Sequence, residues 1–129
     1  MARELAPAGR AGEARISSAP RADYAQAAAV VLTTEGQAGK VYELAGDSSY
    51  ILTELAALIS QKTGKPVVYQ NLPQAEFEVV LISVGLPAGL AALLADSDAA
   101  AAKGALFDES GVLGRLIERG TTLVAESLG

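Results

Sequence analysis

The 129-residue chain has no histidine, no cysteine and no tryptophan. Without histidine there is no His-dependent triad and no imidazole ligand for zinc or haem, and without cysteine there is no thiol nucleophile and no zinc-thiolate site. Disulfide staples are excluded too, which removes the scaffold that small secreted domains often need and leaves the cytoplasm as the expected compartment. Positive charge is scarce: 10 Lys plus Arg stand against 15 Asp plus Glu, a formal charge of −5. No general basic face is available for a polyphosphate backbone or an anionic bilayer, so neither nucleic acid nor membrane is an expected partner. The opening stretch MARELAPAGRAGEAR lacks the apolar core of a signal peptide. The longest apolar run, residues 81–95, is broken by Ser83, Gly85, Pro87 and Gly89 and falls short of the roughly 20 residues that span a bilayer.

What remains is a chain that is half hydrophobic and holds at most one domain's worth of material. Residues 1–15 mix charge, Pro and Gly and read as a poorly ordered lead-in, with the folded portion running from 16 to 129. In ADYAQAAAVVL, Ala22 to Leu32, the residues Tyr24, Ala27, Ala28 and Val31 share one helical face. Ser17, Ser18 and Pro20 signal the start of that helix, and Asp23 adds negative charge near its positive end.

The segment KVYELA, Lys40 to Ala45, lies between Gly39 and Gly46 and reads as a strand; VVYQN, Val67 to Asn71, reads as a second. Between them Thr53 is positioned to cap a helix carrying Leu52, Leu55, Ala56 and Ile59, closed by Gly64 and Pro66. Strand, helix and strand at this spacing make a βαβ unit with parallel strands. The fold class is therefore α/β, a short parallel sheet with a mostly helical C-terminal region. In that region Phe77, Val80, Leu81 and Val84 form one apolar face, and Leu86, Leu90, Leu93 and Leu94 form another beyond Gly85 and Pro87. Leu113, Leu116 and Ile117 mark a third, short helix, and residues 121–128 a last turn or two. Asp96 to Gly104 reads either as a helix end or as a connector.

No catalytic, cofactor or metal motif is legible in these residues. The glycine clusters at Gly36 to Gly39, Gly85 to Gly89 and Gly111 to Gly114 lack the spacing, after a strand and into a helix, with which a backbone cradles a pyrophosphate. They read as turn glycines. Nor does any tyrosine precede a lysine by four positions, the acid/base pair of many dehydrogenases: Tyr24, Tyr42, Tyr50 and Tyr69 are followed there by Ala28, Gly46, Glu54 and Pro73. Asp96, Asp98, Asp108 and Glu109 lack the alternating ligands of a calcium loop and read as solvated or capping groups.

Two stretches carry a family resemblance: ISSAPRADYAQAAAVVL at Ile16 to Leu32, and GKVYELAGDSSYILTELAALISQKTGKPVVYQNL at Gly39 to Leu72, continued from Gly85 to Leu128. They resemble the C-terminal half of NmrA-like atypical short-chain dehydrogenases, most closely the bacterial NAD(P)H:quinone oxidoreductase 2 group. The resemblance implies a partial Rossmann-type fold lacking the dinucleotide-binding part, with NADP as cofactor of the intact family and a quinone-like small molecule as substrate. The family's glycine-rich cofactor loop has no counterpart here, so no cofactor residue carries over. Around Ser17, Ser18 and Arg21 the chains of similar proteins leave the sheet near the active-site cleft, which makes these three the candidate substrate-binding residues. Beside that stands another expectation: helix capping for the serines and a surface ion pair for the arginine. Hydride transfer from NAD(P)H to a quinone is the implied activity, with this chain inactive alone. An N-terminal Rossmann half, or self-association, is the expected partner, because a surface that packs on a Rossmann domain would otherwise stand exposed. The alternative is a non-catalytic redox-sensing or protein-interaction module.

Overall fold

The computed structural model describes residues 8–128 as two compact units, one of residues 8–16 and 50–105, the other of residues 17–49 and 106–128. Of the expected lead-in, residues 1–7 lie outside the described residues.

The first unit is organised by a parallel pair of very short strands, β1 (Ala8–Gly9) and β2 (Gln70–Asn71), in the register Ala8 to Gln70 and Gly9 to Asn71. The pair is extended by the Leu72 amide, which donates to the Gly9 carbonyl at 2.7 Å. An antiparallel bridge between Ile16 and Tyr50, with reciprocal bonds of 2.7 and 3.0 Å, ties down the end of the same segment. Ala8–Gly9 is a strand and Ala11 is buried, so the described part of residues 1–15 is built into this unit.

Helix α2 (Leu52–Thr63) follows Ile51 at its N-cap position with no side-chain cap, so the expected Thr53 cap is not made. Its other end is as read: Gly64 takes the left-handed conformation at φ 67°, and its amide closes on the Ser60 carbonyl at 3.0 Å. Helices α3 (Gln74–Ser83) and α4 (Ala88–Ala101) pack against each other, and α3 also touches β1. Phe77 is buried on α3 as expected, but Val80 and Val84 are not. On α4 the buried positions are Ala91, Ala95 and Ala101; Ala91 and Ala95 each lie one residue, about 100° round the helix, from the expected Leu90 and Leu94, and Leu90, Leu93 and Leu94 stand exposed. Small side chains at the contact let two helices approach closely, and that choice overrides the bulk of the leucines. The Asp96 to Gly104 stretch resolves as a helix end, running on to Ala101 before Gly104.

The second unit packs α1 (Arg21–Thr33) on the short α5 (Val112–Ile117). Ala27, Leu113 and Ile117 form its buried centre, with Ala19, Tyr24, Leu44 and Leu116 packed around them. A final turn, α6 (Val124–Ser127), ends the described chain. Pro20, rather than a serine, takes the N-cap position of α1, with no side-chain cap bond, and the Ser17 hydroxyl is engaged by the Asp108 amide instead.

The largest departure from the sequence reading is at Lys40 to Ala45. That segment forms no strand, and the parallel partner of β2 is Ala8–Gly9 instead. Helix α2 and the second strand of the expected βαβ unit are present; its first strand has moved to the segment taken for a lead-in.

Candidate functional site

Ser17 is a buried node of the second unit. Its amide donates to the Leu106 carbonyl at 2.9 Å, its carbonyl accepts from the Gly46 amide at 3.0 Å, and its hydroxyl oxygen accepts from the Asp108 amide at 3.2 Å. Three chain segments are thus gathered on one residue. The approach at Gly46 is close enough to dictate glycine: a Cβ there would lie 2.0 Å from the Ser18 carbonyl oxygen. Ser18 is half-buried beside it, and Arg21 stands exposed as the first residue of α1. Arg21 pairs with no carboxylate among the described residues, so the surface ion pair expected for it is not made there. The structure brings Ser17 and Ser18 together with Gly46, and leaves Arg21 in solvent at the mouth of the same turn.

Sequence reasoning missed the polar network next to this turn. Asp23, only 1 % exposed, accepts from Arg119 Nη2 at 2.8 Å, from the Thr122 amide at 2.7 Å and from the Thr122 hydroxyl at 3.2 Å. Burial by itself raises the Asp23 pKa, but the bonds from Arg119 and Thr122 together with the guanidinium charge outweigh it and hold the carboxyl below its ordinary value. Arg119 also reaches the Gln26 side-chain oxygen at 2.8 and 3.2 Å and the Gly120 carbonyl at 3.0 Å. Asp47 and Thr121 make a reciprocal pair, with Asp47 N to Thr121 Oγ1 and Thr121 N to Asp47 Oδ2 both at 2.8 Å. An acidic residue in a first helical turn reads in sequence as a dipole partner; nothing local announces a bond to residues almost a hundred positions away.

Among the described residues of the first unit, two concavities stand out. One, about 590 Å³, is lined by Arg10, Glu13, Gln74 and Lys103 among others, beside the residues that follow β1 and β2. The other, about 170 Å³, is apolar, formed by Ala8, Tyr69 and the α2 residues Leu52, Leu55, Ala56 and Ile59. Burial raises the pKa of the Tyr69 phenol, with the Asp98 charge adding to the rise and the Gly12 and Ala11 amides opposing it. Asp98 itself accepts from the Arg10 amide at 3.0 Å.

Neither unit offers a dinucleotide cradle among the described residues. The chain after β1 runs into a loop rather than a helix, and Gly36, Gly39, Gly64, Gly85 and Gly104 have positive φ in turns and helix ends. The described residues form no strand-to-helix glycine turn that fits the pyrophosphate of a nicotinamide dinucleotide. No group of three or more potential metal ligands occurs among the described residues, and no helix there is long and apolar enough to cross a membrane.

No protein-family model matches the chain. The resemblance to the C-terminal half of the NmrA-like quinone oxidoreductase 2 group is borne out by individual relatives. Over 120 residues the chain is 58 % identical to quinone oxidoreductase 2 of Escherichia coli, covering 93 % of this chain and 42 % of that protein. The solved structure of that NADPH-dependent enzyme in complex with NADPH superposes with a TM-score of 0.92 at 56 % identity, over 95 % of this chain and 44 % of that one. A triphenylmethane reductase from Citrobacter sp., complexed with NADP(H), superposes with a TM-score of 0.89 at 33 % identity, over 95 % of this chain and 43 % of that one. The chain therefore spans less than half the length of each of these relatives, and its α/β architecture is that of one portion of their fold.

Proposed function

With a portion of the quinone oxidoreductase fold as the premise, we propose that this chain is the substrate-side part of an NADPH-dependent quinone oxidoreductase. The observation that carries the proposal is the 58 % identity sustained over 120 residues. The nucleotide-binding part is then the part of the relatives' fold that this chain does not span, and the chain alone is inactive. A nicotinamide cofactor carries the redox chemistry of such an enzyme, and the protein around the substrate supplies orientation and exclusion of water. Ser17, Ser18 and Arg21 are the residues we assign to the substrate side. Ser17, held by three bonds, fixes the turn; Ser18 and the exposed Arg21 are the groups that face a polar quinone oxygen. A cytoplasmic setting belongs to the same reading.

The test is NADPH oxidation in the presence of a quinone by two preparations: the chain alone, and the chain fused behind the portion of E. coli quinone oxidoreductase 2 that it does not span. Activity in the fused protein and none in the chain alone supports the proposal. A fused protein that folds and binds NADPH yet reduces no quinone sinks it. Arg21→Ala in an active fusion is expected to raise KM severalfold with little effect on folding.

A second reading, a protein-interaction module, is favoured by one observation: Val79, Val84 and Leu93 of the α3–α4 hairpin region are 65, 72 and 61 % exposed. Light scattering discriminates, since a strictly monomeric fused protein with full reductase activity leaves that reading without support.

A further inference from the structure

We propose that the crevice at the carboxyl ends of β1 and β2 is a binding site for a small hydroxylated monocarboxylate, whose carboxylate is held by Arg10 and Lys103. Its lining residues all belong to the first unit, whereas Ser17, Ser18 and Arg21 belong to the second. Binding there is independent of the substrate-side reading given above.

Because β1 and β2 run parallel, both segments leave the pair at the same edge, the position where α/β proteins place ligands. Beyond β1 the chain makes the loop from Arg10 to Glu13; beyond β2 it turns at Pro73 into α3, whose first residue is Gln74. The C-terminal end of α4, with Ala99 and Ala102, and Lys103 just past it, contributes the rest of the wall.

The backbone of this loop is fixed. The Arg10 amide donates to Asp98 Oδ2 at 3.0 Å, the Gly12 amide to Asn71 Oδ1 at 3.1 Å, and the Ala14 amide to the Ala11 carbonyl at 3.2 Å. Gly9 leaves no slack before it, since a Cβ there would lie 2.6 Å from Asp98 Oδ2. The side chains behave otherwise. Among the described residues, those of Arg10, Glu13, Gln74 and Lys103 make no hydrogen bond and no ion pair. An anchored frame thus carries four uncommitted polar groups around one cavity of about 590 Å³, within the range of roughly 300–1,000 Å³ that small-molecule sites occupy.

Charge selects the ligand. Two cations, Arg10 and Lys103, against one carboxylate, Glu13, leave the lining one unit positive in a chain whose formal charge is −5. A single carboxylate completes that balance, whereas a phosphate dianion would overshoot it beside Glu13 and the nearby Asp98. Arg10 offers the planar fork that meets both oxygens of a carboxylate, and Lys103 a point charge. The Glu13 carboxylate accepts and the Gln74 amide both donates and accepts, which suits a hydroxyl. Pro73, Ala99 and Ala102 supply small apolar surface for the body of the molecule.

The test is an amide NMR titration of the full chain with four probes: mandelate; mandelamide, which keeps the shape without the charge; phenylacetate, which lacks the hydroxyl; and inorganic phosphate. Mandelate is expected to give saturable shifts centred on Arg10 to Glu13, Gln74 and Lys103. It is expected to bind at least about tenfold more tightly than mandelamide, in line with one charge-assisted hydrogen bond, and severalfold more tightly than phenylacetate. Arg10→Gln and Lys103→Gln lie on different segments, and each is expected to weaken mandelate by about the same tenfold. Neither should move the melting temperature, because neither side chain has a hydrogen bond or ion pair to lose among the described residues. If one variant fails to fold, the other and the mandelamide comparison decide. The absence of saturable binding at these residues overturns the inference, as does equal binding of mandelamide or phenylacetate. Tighter binding of inorganic phosphate than of mandelate overturns it in favour of a phosphate site.

Discussion

Arg119 Nη2 stands 2.8 Å from Asp23 Oδ1, joining positions ninety-six residues apart, and the two ends of the pair live in different environments: the Asp23 side chain is 1 % exposed and that of Arg119 41 %. The buried carboxylate is satisfied on both oxygens, because Oδ2 takes the Thr122 amide. Removing the exposed partner is therefore the milder change. Arg119→Ala is expected to destabilise by about 1.5–3 kcal/mol, the range for a hydrogen bond to a charged group. Asp23→Ala is expected to cost at least as much, since it strands the Thr122 amide as well as the guanidinium. Urea unfolding of the two single variants and the double variant measures the pair directly, and the coupling is expected to exceed that of an ordinary surface pair, about 1 kcal/mol or less. Arg119→Lys should recover only part of the loss, because an ammonium cannot reach Asp23 and Gln26 together as the planar fork does.

The same carboxyl makes folding sensitive to acid. Burial raises the Asp23 pKa, but the Arg119 and Thr122 bonds and the Arg119 charge prevail, so the folded pKa lies below the ordinary 3.8. A group depressed in this way stabilises the folded state above its unfolded pKa, and that contribution drains away as the pH falls through 3.8 toward the folded value. Wild-type stability measured by urea unfolding should fall steeply below pH 4. Asp23→Asn should start lower at pH 7 and lose less between pH 5 and pH 3; an equal loss in both proteins would remove Asp23 from the explanation.

At alkaline pH the sign reverses. Burial raises the pKa of Tyr24, with the Asp23 charge contributing, and that of Tyr69 is raised chiefly by burial as well. The folded state keeps these protons longer than the unfolded chain, so stability is expected to decline as the pH rises past 10. In a near-ultraviolet absorbance titration, Tyr69→Phe and Tyr24→Phe should each remove a late-titrating phenol.

Gly46→Ala should be among the most damaging single changes outside the core. The new Cβ would fall 2.0 Å from the Ser18 carbonyl oxygen, a backbone atom that cannot swing aside. A cost of about 2–4 kcal/mol is expected, in the range of severe overpacking, together with loss of the Ser17 to Gly46 bond. Gly64→Ala is a control of another kind: it meets no atom within 4 Å and pays only for φ +67°, so a loss of about 1 kcal/mol is expected. Thermal melts of the two variants should differ by several degrees.

Much of this architecture was legible in the residues, and the exceptions have physical causes. The α2 helix ends at Gly64 because a glycine there can turn left-handed, a property that belongs to one residue and is visible in one residue. The α4 leucines misled because periodicity gives equal weight to a wide apolar face, whereas the helix contact selected Ala91 and Ala95 for their size. KVYELA has strand chemistry, but pairing is a property of two segments, and no local pattern announces that the partner of β2 is Ala8–Gly9. The candidate site divides in the same way. The segment Ser17 to Arg21 stood out through its resemblance to known reductases, while the bonds from Ser17 to Leu106 and Asp108, and from Asp23 to Arg119, join residues too distant in sequence for any spacing rule to connect.

The central claim is that this chain holds the substrate side of a reductase and depends on a nucleotide-binding part outside it. A thermal melt of the purified chain, followed by circular dichroism with and without excess NADPH, addresses that dependence most directly. Ligand that binds only the folded state raises stability by RT ln(1 + [L]/Kd), about 2.7 kcal/mol at a hundredfold excess over Kd. A cooperative melt that NADPH leaves unmoved is the expected result. An upward shift would place a cofactor site within these 129 residues and contradict the division of labour proposed for them.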